Sequence, residues 1–221
     1  MTYVFLAGAS RGVGREVAKQ LVVNGHQVLA LLRSEQAKAD LEAMGVSIVK
    51  GDAMDPEAMN KIMQDYPVEA VISTIGGLPD EGAPRADFLG NKNLIDAAAA
   101  AKAQQFILIS SIGSGNSYRA LPPNVLEVLG PLLKEKAQAE EHLSKSGVPY
   151  TVIRPGGLVS ESATGKEVLT ADPTVAGSIP RAGLATLIVQ CLGKQKAMNE
   201  VFSAIDLSMQ RTEKEVSTVE L

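Results

Sequence analysis

The chain has 221 residues, a length that suits one well-cored α/β domain and leaves little for a separate substrate domain. With 45% hydrophobic and 21% charged residues it has the composition of a globular protein, and no apolar run approaches the roughly 20 residues that a membrane span needs. A formal net charge of −4, without a lysine/arginine block or an aromatic-interleaved basic stripe, argues against nucleic acid as a main partner and against a membrane role.

The first strand-like run, "YVFLAG", begins at once, without the basic stretch and cleavage site of a secretory signal, so the cytoplasm is the expected compartment. Further runs follow in "QVLALL", "VSIVKG", "VEAVIST", "QFILIS", "YTVIRP" and "EVFSAI". They alternate with helical periodicity over residues 13–24, 35–44, 56–64, 88–102, 125–146 and 181–192. Near-continuous apolar runs mark parallel strands buried on both faces. The order predicts an α/β fold in which residues 1–206 form one doubly wound domain, with a six- or seven-stranded, mainly parallel sheet.

The closing stretch "LSMQRTEKEVSTVEL" loses the apolar periodicity and gathers charge, so residues 207–221 read as a flexible C-terminal tail, with a partner-binding tail as the alternative. Cys191 stands alone in the apolar pattern "GLATLIVQCLG". No internal disulfide is possible, and a buried, inert thiol is expected.

Between the first strand and first helix lies "AGASRGVG", with Gly8, Gly12 and Gly14 in the positions of a Rossmann dinucleotide turn. Glycine permits the tight turn and lets backbone amides approach a pyrophosphate, and the helix N-terminus adds a partial positive charge. Ser10, Arg11 and Val13 complete the expected phosphate-facing turn. The choice between NAD and NADP falls at the end of the second strand, where an acid would bind the free ribose 2′-hydroxyl. Here "LALLRSEQ" carries Arg33 and Ser34 instead, with Glu35 one residue too late. A guanidinium suits a 2′-phosphate, and Arg11 is placed to reach the same group. The alternative for each arginine is a solvated surface position, but together they favour NADPH.

Past the third strand, "VKGDAMD" sets Asp52 and Ala53 where the adenine would lie, although Asp52 suits a turn or a helix N-cap equally well. Past the fourth, "ISTIGG" sets Thr74, Ile75 and Gly76 against the nucleotide ribose.

These motifs, with "ILISSIGS" at the fifth strand and "KAQAEEHLSKSGVPYTVIRPGGL" through the sixth, resemble the short-chain dehydrogenase/reductase superfamily. Among its atypical members they are most similar to the flavin reductase (NADPH), or biliverdin reductase B, group. The resemblance covers nearly the whole chain. The superfamily's usual catalytic pair is a tyrosine followed four residues later by a lysine. Aligned on the pattern that continues through Glu140 and Leu143, the lysine is Lys136 and the tyrosine position is Leu132, which transfers no proton. Ordinary alcohol–ketone dehydrogenation is therefore disfavoured. Tyr118, in the loop "GSGNSYRALPP", is the candidate replacement for the missing acid, and Lys136 is either a ribose ligand or a solvated helix lysine.

Hydride transfer to a flavin or a conjugated bilin depends chiefly on stacking the acceptor against the nicotinamide, and its proton can come from water. The resemblance thus implies an NADPH-dependent reductase with a flavin or biliverdin as substrate rather than prosthetic group. It implies Ser111 as the catalytic serine beside the nicotinamide, Ser110 on the cofactor side facing the other way, and Pro155, Gly156, Gly157 and Leu158 of "RPGGLVS" around the nicotinamide end. A bland tight turn would use the same proline and glycines.

The following "ESATGKEVLTADPTVAGSIPR" reads as a mobile flap over the acceptor. His26 and His142 are the only histidines, and neither is an evident partner for the serines, so serine hydrolysis is disfavoured. The group implies a monomer. The contrasting reading is a non-catalytic NADPH-binding regulator or assembly factor, since the acid position is vacant. A nucleotide-sugar epimerase would require a larger C-terminal lobe and usually the tyrosine.

Overall fold

The computed structural model describes residues 2–76 and 85–221. The chain runs β1 (Tyr3–Ala7), α1 (Gly12–Val23), β2 (Val28–Leu32), α2 (Lys38–Ala43), β3 (Ser47–Lys50), α3 (Pro56–Asp65), β4 (Val68–Ser73), α4 (Leu89–Ala100) and β5 (Gln105–Ile109). It continues through α5 (Pro123–Lys145), β6 (Tyr150–Pro155), β7 (Gly157–Val159), β8 (Glu167–Thr170), β9 (Ser178–Pro180), α6 (Arg181–Cys191) and β10 (Glu200–Asp206). The main sheet has eight strands in the order β3-β2-β1-β4-β5-β6-β10-β8, and β7 pairs with β9 apart from it. Every pairing in the main sheet is parallel except that of β8 with β10.

Six or seven strands were expected, and β8 is the addition. Its four residues sit in a polar stretch and form an antiparallel edge, so they lack the apolar run that marks a central strand.

Successive residues of the central strands point to opposite faces, and both faces are apolar. Leu6, Ala30, Ile72, Ile107 and Ile153 pack on the side of α1 and α6, against Val17, Leu21, Leu184 and Ile188. Phe5, Leu29, Val71, Phe106 and Val152 pack on the side of α3, α4 and α5, against Met59, Leu94, Ile95 and Leu143. Each of the larger side chains among these contributes roughly 1.5–3 kcal/mol of hydrophobic stabilisation. Cys191 lies fully inside the first of these layers, and burial pushes its thiol up to about 12.

Two expectations change. The stretch read as a mobile flap contains β8 and β9 and buries Leu169, Val175 and Ile179. The closing residues do not stand free as a tail: Val216 packs with Ile112, Val175 and Ile205, the Val219 amide donates to the Leu169 carbonyl at 2.8 Å, and Lys214 pairs with Asp172. These few apolar residues meet different parts of the surface, so they leave no periodic pattern. Among the described residues no helix is long and apolar enough to cross a membrane.

The strand order reverses between β1 and β4. The chain builds outward from β1 through β2 to β3, then crosses back to β4 and builds the other way. The loops that leave β1 and β4 therefore part, opening a crevice at the carboxyl ends of the strands, the usual ligand position in such sheets.

Candidate functional site at the carboxyl ends of the strands

A cavity of about 370 Å³ occupies this crevice. Its first wall is the turn from β1 into α1, where Arg11, Gly12, Val13 and Gly14 line it. Gly8 has φ +96°, a left-handed conformation that glycine adopts without strain. At Gly14 a Cβ would collide with the Gly8 carbonyl, so α1 lies closer to the turn than any other residue would allow. The Thr74 hydroxyl, at the end of β4, fastens the turn by donating to the carbonyls of Ala7 (3.1 Å) and Gly8 (3.3 Å).

The residue ahead of α1, Arg11, makes no side-chain cap, and the first turn holds no acid. The positive end of this helix is therefore not neutralised by its own side chains, which is the arrangement that accepts a phosphate. The cradle fits the backbone of a dinucleotide.

The second wall is the end of β5. Ser110 is buried and donates its hydroxyl to Glu140 of α5, while the Ser111 hydroxyl donates to the Ile112 carbonyl at 3.0 Å. Both serines line the cavity, but their hydroxyls are held by different partners. Behind Ser110 the Glu140 carboxylate receives Arg154 on both oxygens, Nε at 3.1 Å and Nη2 at 2.6 Å, and Arg154 reaches Asn116 with its remaining nitrogen at 2.5 Å. This network locks the ends of β5, β6 and α5 together.

Lys136 enters from α5. Its side chain is only 12% exposed, and Nζ lies 3.1 Å from the buried Asp87 carboxylate. The solvated-lysine alternative is overturned: the lysine lines the cavity beside Thr74, Gly76 and the serines. Leu132 stands one turn earlier on the same helix. Pro155, Gly156 and Leu158 close the far side, joined by Arg181 at the start of α6.

Other expected positions lie outside the cavity lining. Ser10 is exposed on the glycine turn, and Gly157 faces the β9 side, near Ser178. Arg33 and Ser34 are exposed just past β2, and no carboxylate pairs with Arg33 among the described residues. Glu35 is engaged by Lys38 at 3.2 Å and Lys50 at 4.0 Å.

Asp52 takes the turn option, accepting from the Met54 amide at 2.9 Å, while Asp55 caps α3 by accepting from Glu57 and Ala58. Ala53 is buried, with its carbonyl bound to Asn93, and Ile75 packs into the α3–α4 core layer. Gly77, the last residue of "ISTIGG", lies outside the described residues.

Tyr118 is not brought to the cavity. It is 48% exposed, and its ring and hydroxyl are both engaged by Arg119. His142 is paired with Asp96 at 2.6 Å across the α4–α5 surface, not with a serine.

Sequence reasoning missed Arg181, Asp87, Ile109 and the Glu140–Arg154 pair. Arg181 was visible only as a helix start after Pro180, and the pair joins α5 to the strand that follows it, where no local motif marks the contact.

Residues 8–195 match a family model described as NAD(P)H-binding. The chain is 33% identical to Protein TIC 62, chloroplastic, of Pisum sativum over 84% of its own length, but it spans only 39% of that protein. It is 29% identical to sanguinarine reductase of Eschscholzia californica, over 90% of this chain and 87% of that one. Among solved structures it is similar to ChuY, described as an anaerobilin reductase from Escherichia coli O157:H7, with TM-score 0.85 and 29% identity over 96% of this chain and 100% of that one. The glycine turn, the crevice and the matched span agree: the chain belongs to the NAD(P)H-binding Rossmann family, of oxidoreductase type, as its atypical short-chain dehydrogenase/reductase motifs imply.

Proposed function

We propose that the protein is an NADPH-dependent reductase that delivers hydride to a planar, conjugated acceptor of flavin or biliverdin type. The observation that carries this reading is the composition of one cavity. It joins the glycine turn, Ser111, Lys136 and the Pro155–Leu158 loop, while the position one turn before Lys136 is a leucine. An acceptor that needs a positioned side-chain acid is poorly served there, whereas one that needs only stacking is well served. Likeness to sanguinarine reductase and to ChuY supports reduction of a large conjugated molecule.

In this reading the backbone of Gly8, Ser10, Arg11, Gly12, Val13 and Gly14 holds the phosphates, and Arg11, Arg33 and Ser34 select the 2′-phosphate. Glu35 has two lysines, Lys38 and Lys50, beside its carboxylate, which is consistent with that preference. Asp52 and Ala53 border the adenine. Thr74, Ile75, Gly76, Ser110 and Lys136 border the ribose and nicotinamide. Pro155, Gly156, Gly157 and Leu158 close over the ring.

Bound NADPH supplies two electrons and a proton as hydride. The Ser111 hydroxyl orients the acceptor, and the second proton comes from water. The protein acts as a monomer on a small molecule.

The test is anaerobic mixing of the purified protein with NADPH, and separately NADH, while following bleaching of FMN and then biliverdin. Fast, NADPH-preferring bleaching is expected. Binding of NADPH with both acceptors left oxidised would instead favour a non-catalytic NADPH-binding protein, a reading that Leu132 at the acid position also fits.

A further inference from the structure

Three cationic side chains line the cavity, and among the described residues no aspartate or glutamate lines it. Lys136 is neutralised by Asp87. Arg11 and Arg181 have no carboxylate partner among the described residues, whereas Arg15 and Arg154 are paired with Asp40 and Glu140. Arg181 is also the first residue of α6, at the opposite rim from the β1–α1 turn in sequence but next to it in space. Its Nε lies 3.9 Å from the point where a Cβ on Gly12 would stand.

Its Nη1 donates to the Ser160 hydroxyl at 2.9 Å, a neutral partner, so among the described residues no carboxylate offsets its charge. The position is fixed from below. α6 packs on α1, and Gln20 of α1 donates to Thr186 of α6 at 2.9 Å, so the guanidinium is carried at a set height over the glycine turn.

We propose that Arg181 is a pyrophosphate clamp, a cofactor-binding residue whose guanidinium holds the dinucleotide beside the α1 amides. This rests on the reading that the Gly8–Gly14 turn holds the dinucleotide. The chemistry is charge-assisted hydrogen bonding of a guanidinium to phosphate oxygens, for which the fork geometry of arginine is suited. The α1 N-terminus offers backbone amides to the phosphates, and Arg181, next to Gly12, adds a full counter-charge at the same end. Because the pyrophosphate is common to both nicotinamide dinucleotides, Arg181 strengthens binding without choosing between them. That separates its role from the one assigned to Arg33. Ser160 holds the guanidinium in waiting when no phosphate is present.

The experiment measures dissociation constants of NADPH and NADH by nucleotide fluorescence, with adenosine 2′-monophosphate as a competitor that carries a 2′-phosphate and no pyrophosphate. Wild type, Arg181→Ala and Arg181→Lys are compared after a thermal melt shows that each is folded. Arg181→Ala is expected to weaken NADPH and NADH by a similar factor of about ten, with Arg181→Lys intermediate and adenosine 2′-monophosphate unchanged.

Unchanged affinity for both dinucleotides in Arg181→Ala would overturn the clamp. A loss confined to NADPH, or shared by adenosine 2′-monophosphate, would overturn it too, by moving the contact to the 2′-phosphate. Failure of the wild type to bind either dinucleotide would instead strike the underlying reading of the turn.

Discussion

Glu140 on α5 and Arg154 on β6 form a buried two-pronged ion pair, and the hydroxyl of Ser110 is donated to the same carboxylate. A serine held this way has its one hydroxyl hydrogen committed to Glu140, so toward the cavity it offers only lone pairs. The cavity wall at Ser110 is therefore an acceptor, suited to an amide or hydroxyl donor on whatever lies against it.

Removing one member of that pair strands the other without water. Arg154→Ala or Glu140→Ala is expected to lower unfolding free energy by about 3–5 kcal/mol, read from chemical denaturation. The paired change Glu140→Leu with Arg154→Met is expected to cost less than the sum of the two single losses. An unchanged denaturation midpoint in either alanine variant would contradict the structural role.

Arg33→Ala should raise the dissociation constant for NADPH by about tenfold or more and leave NADH nearly unaffected, because only NADPH carries the extra phosphate. Titration of both nucleotides decides it. Equal losses would show that Arg33 is a surface residue with no part in the preference.

Ser111→Ala should reduce the rate of acceptor reduction by about tenfold while NADPH affinity changes little. The readout is kcat against nucleotide Kd. A variant with full turnover would remove Ser111 from the acceptor side and leave stacking alone to position the substrate.

Gly14→Ala places a methyl group against the Gly8 carbonyl and the Thr74 hydroxyl, so α1 or the turn must move. Loss of nucleotide binding together with a lower Tm is the expected result. Native-like binding of NADPH by this variant would count against the turn as a close-fitting phosphate cradle.

Hydrogen bonds from Lys214 and Thr174 hold the Asp172 carboxyl down at about 2. A carboxyl depressed on folding stabilises the folded state above its unfolded value near ~3.9, and that contribution is lost as pH falls toward 2. Amide-exchange protection of the closing segment should accordingly fall between about pH 4 and 2, and Lys214→Ala should weaken it at neutral pH. Protection unchanged across that range would show that Val216 and Val219 alone hold the segment.

The central strands and the glycine turn were legible because their signals are local. Phe5–Leu6, Val71–Ile72 and Phe106–Ile107 are adjacent apolar pairs that a doubly covered sheet requires, and Gly8–Gly14 is a motif of fixed spacing. Leu132 was equally plain, since spacing from Lys136 alone exposes it. What sequence could not give was partnership between distant residues. Lys136 stood open between a ribose ligand and a solvated helix lysine until the fold brought Asp87, just ahead of α4, to its side chain, and Glu140 gave no hint that it meets Arg154. β8 was hidden because an edge strand of four residues has one apolar side and charged neighbours.

The bond from the Val219 amide to the Leu169 carbonyl places the last residues along the outer flank of β8, the final strand of the sheet on that side. An uncovered flank of this kind is a template to which a strand from another molecule can add. The chain thus covers part of that flank with the residues around Val219. Shortening it before Val216 is a change remote from the cavity whose effect would be felt first as self-association.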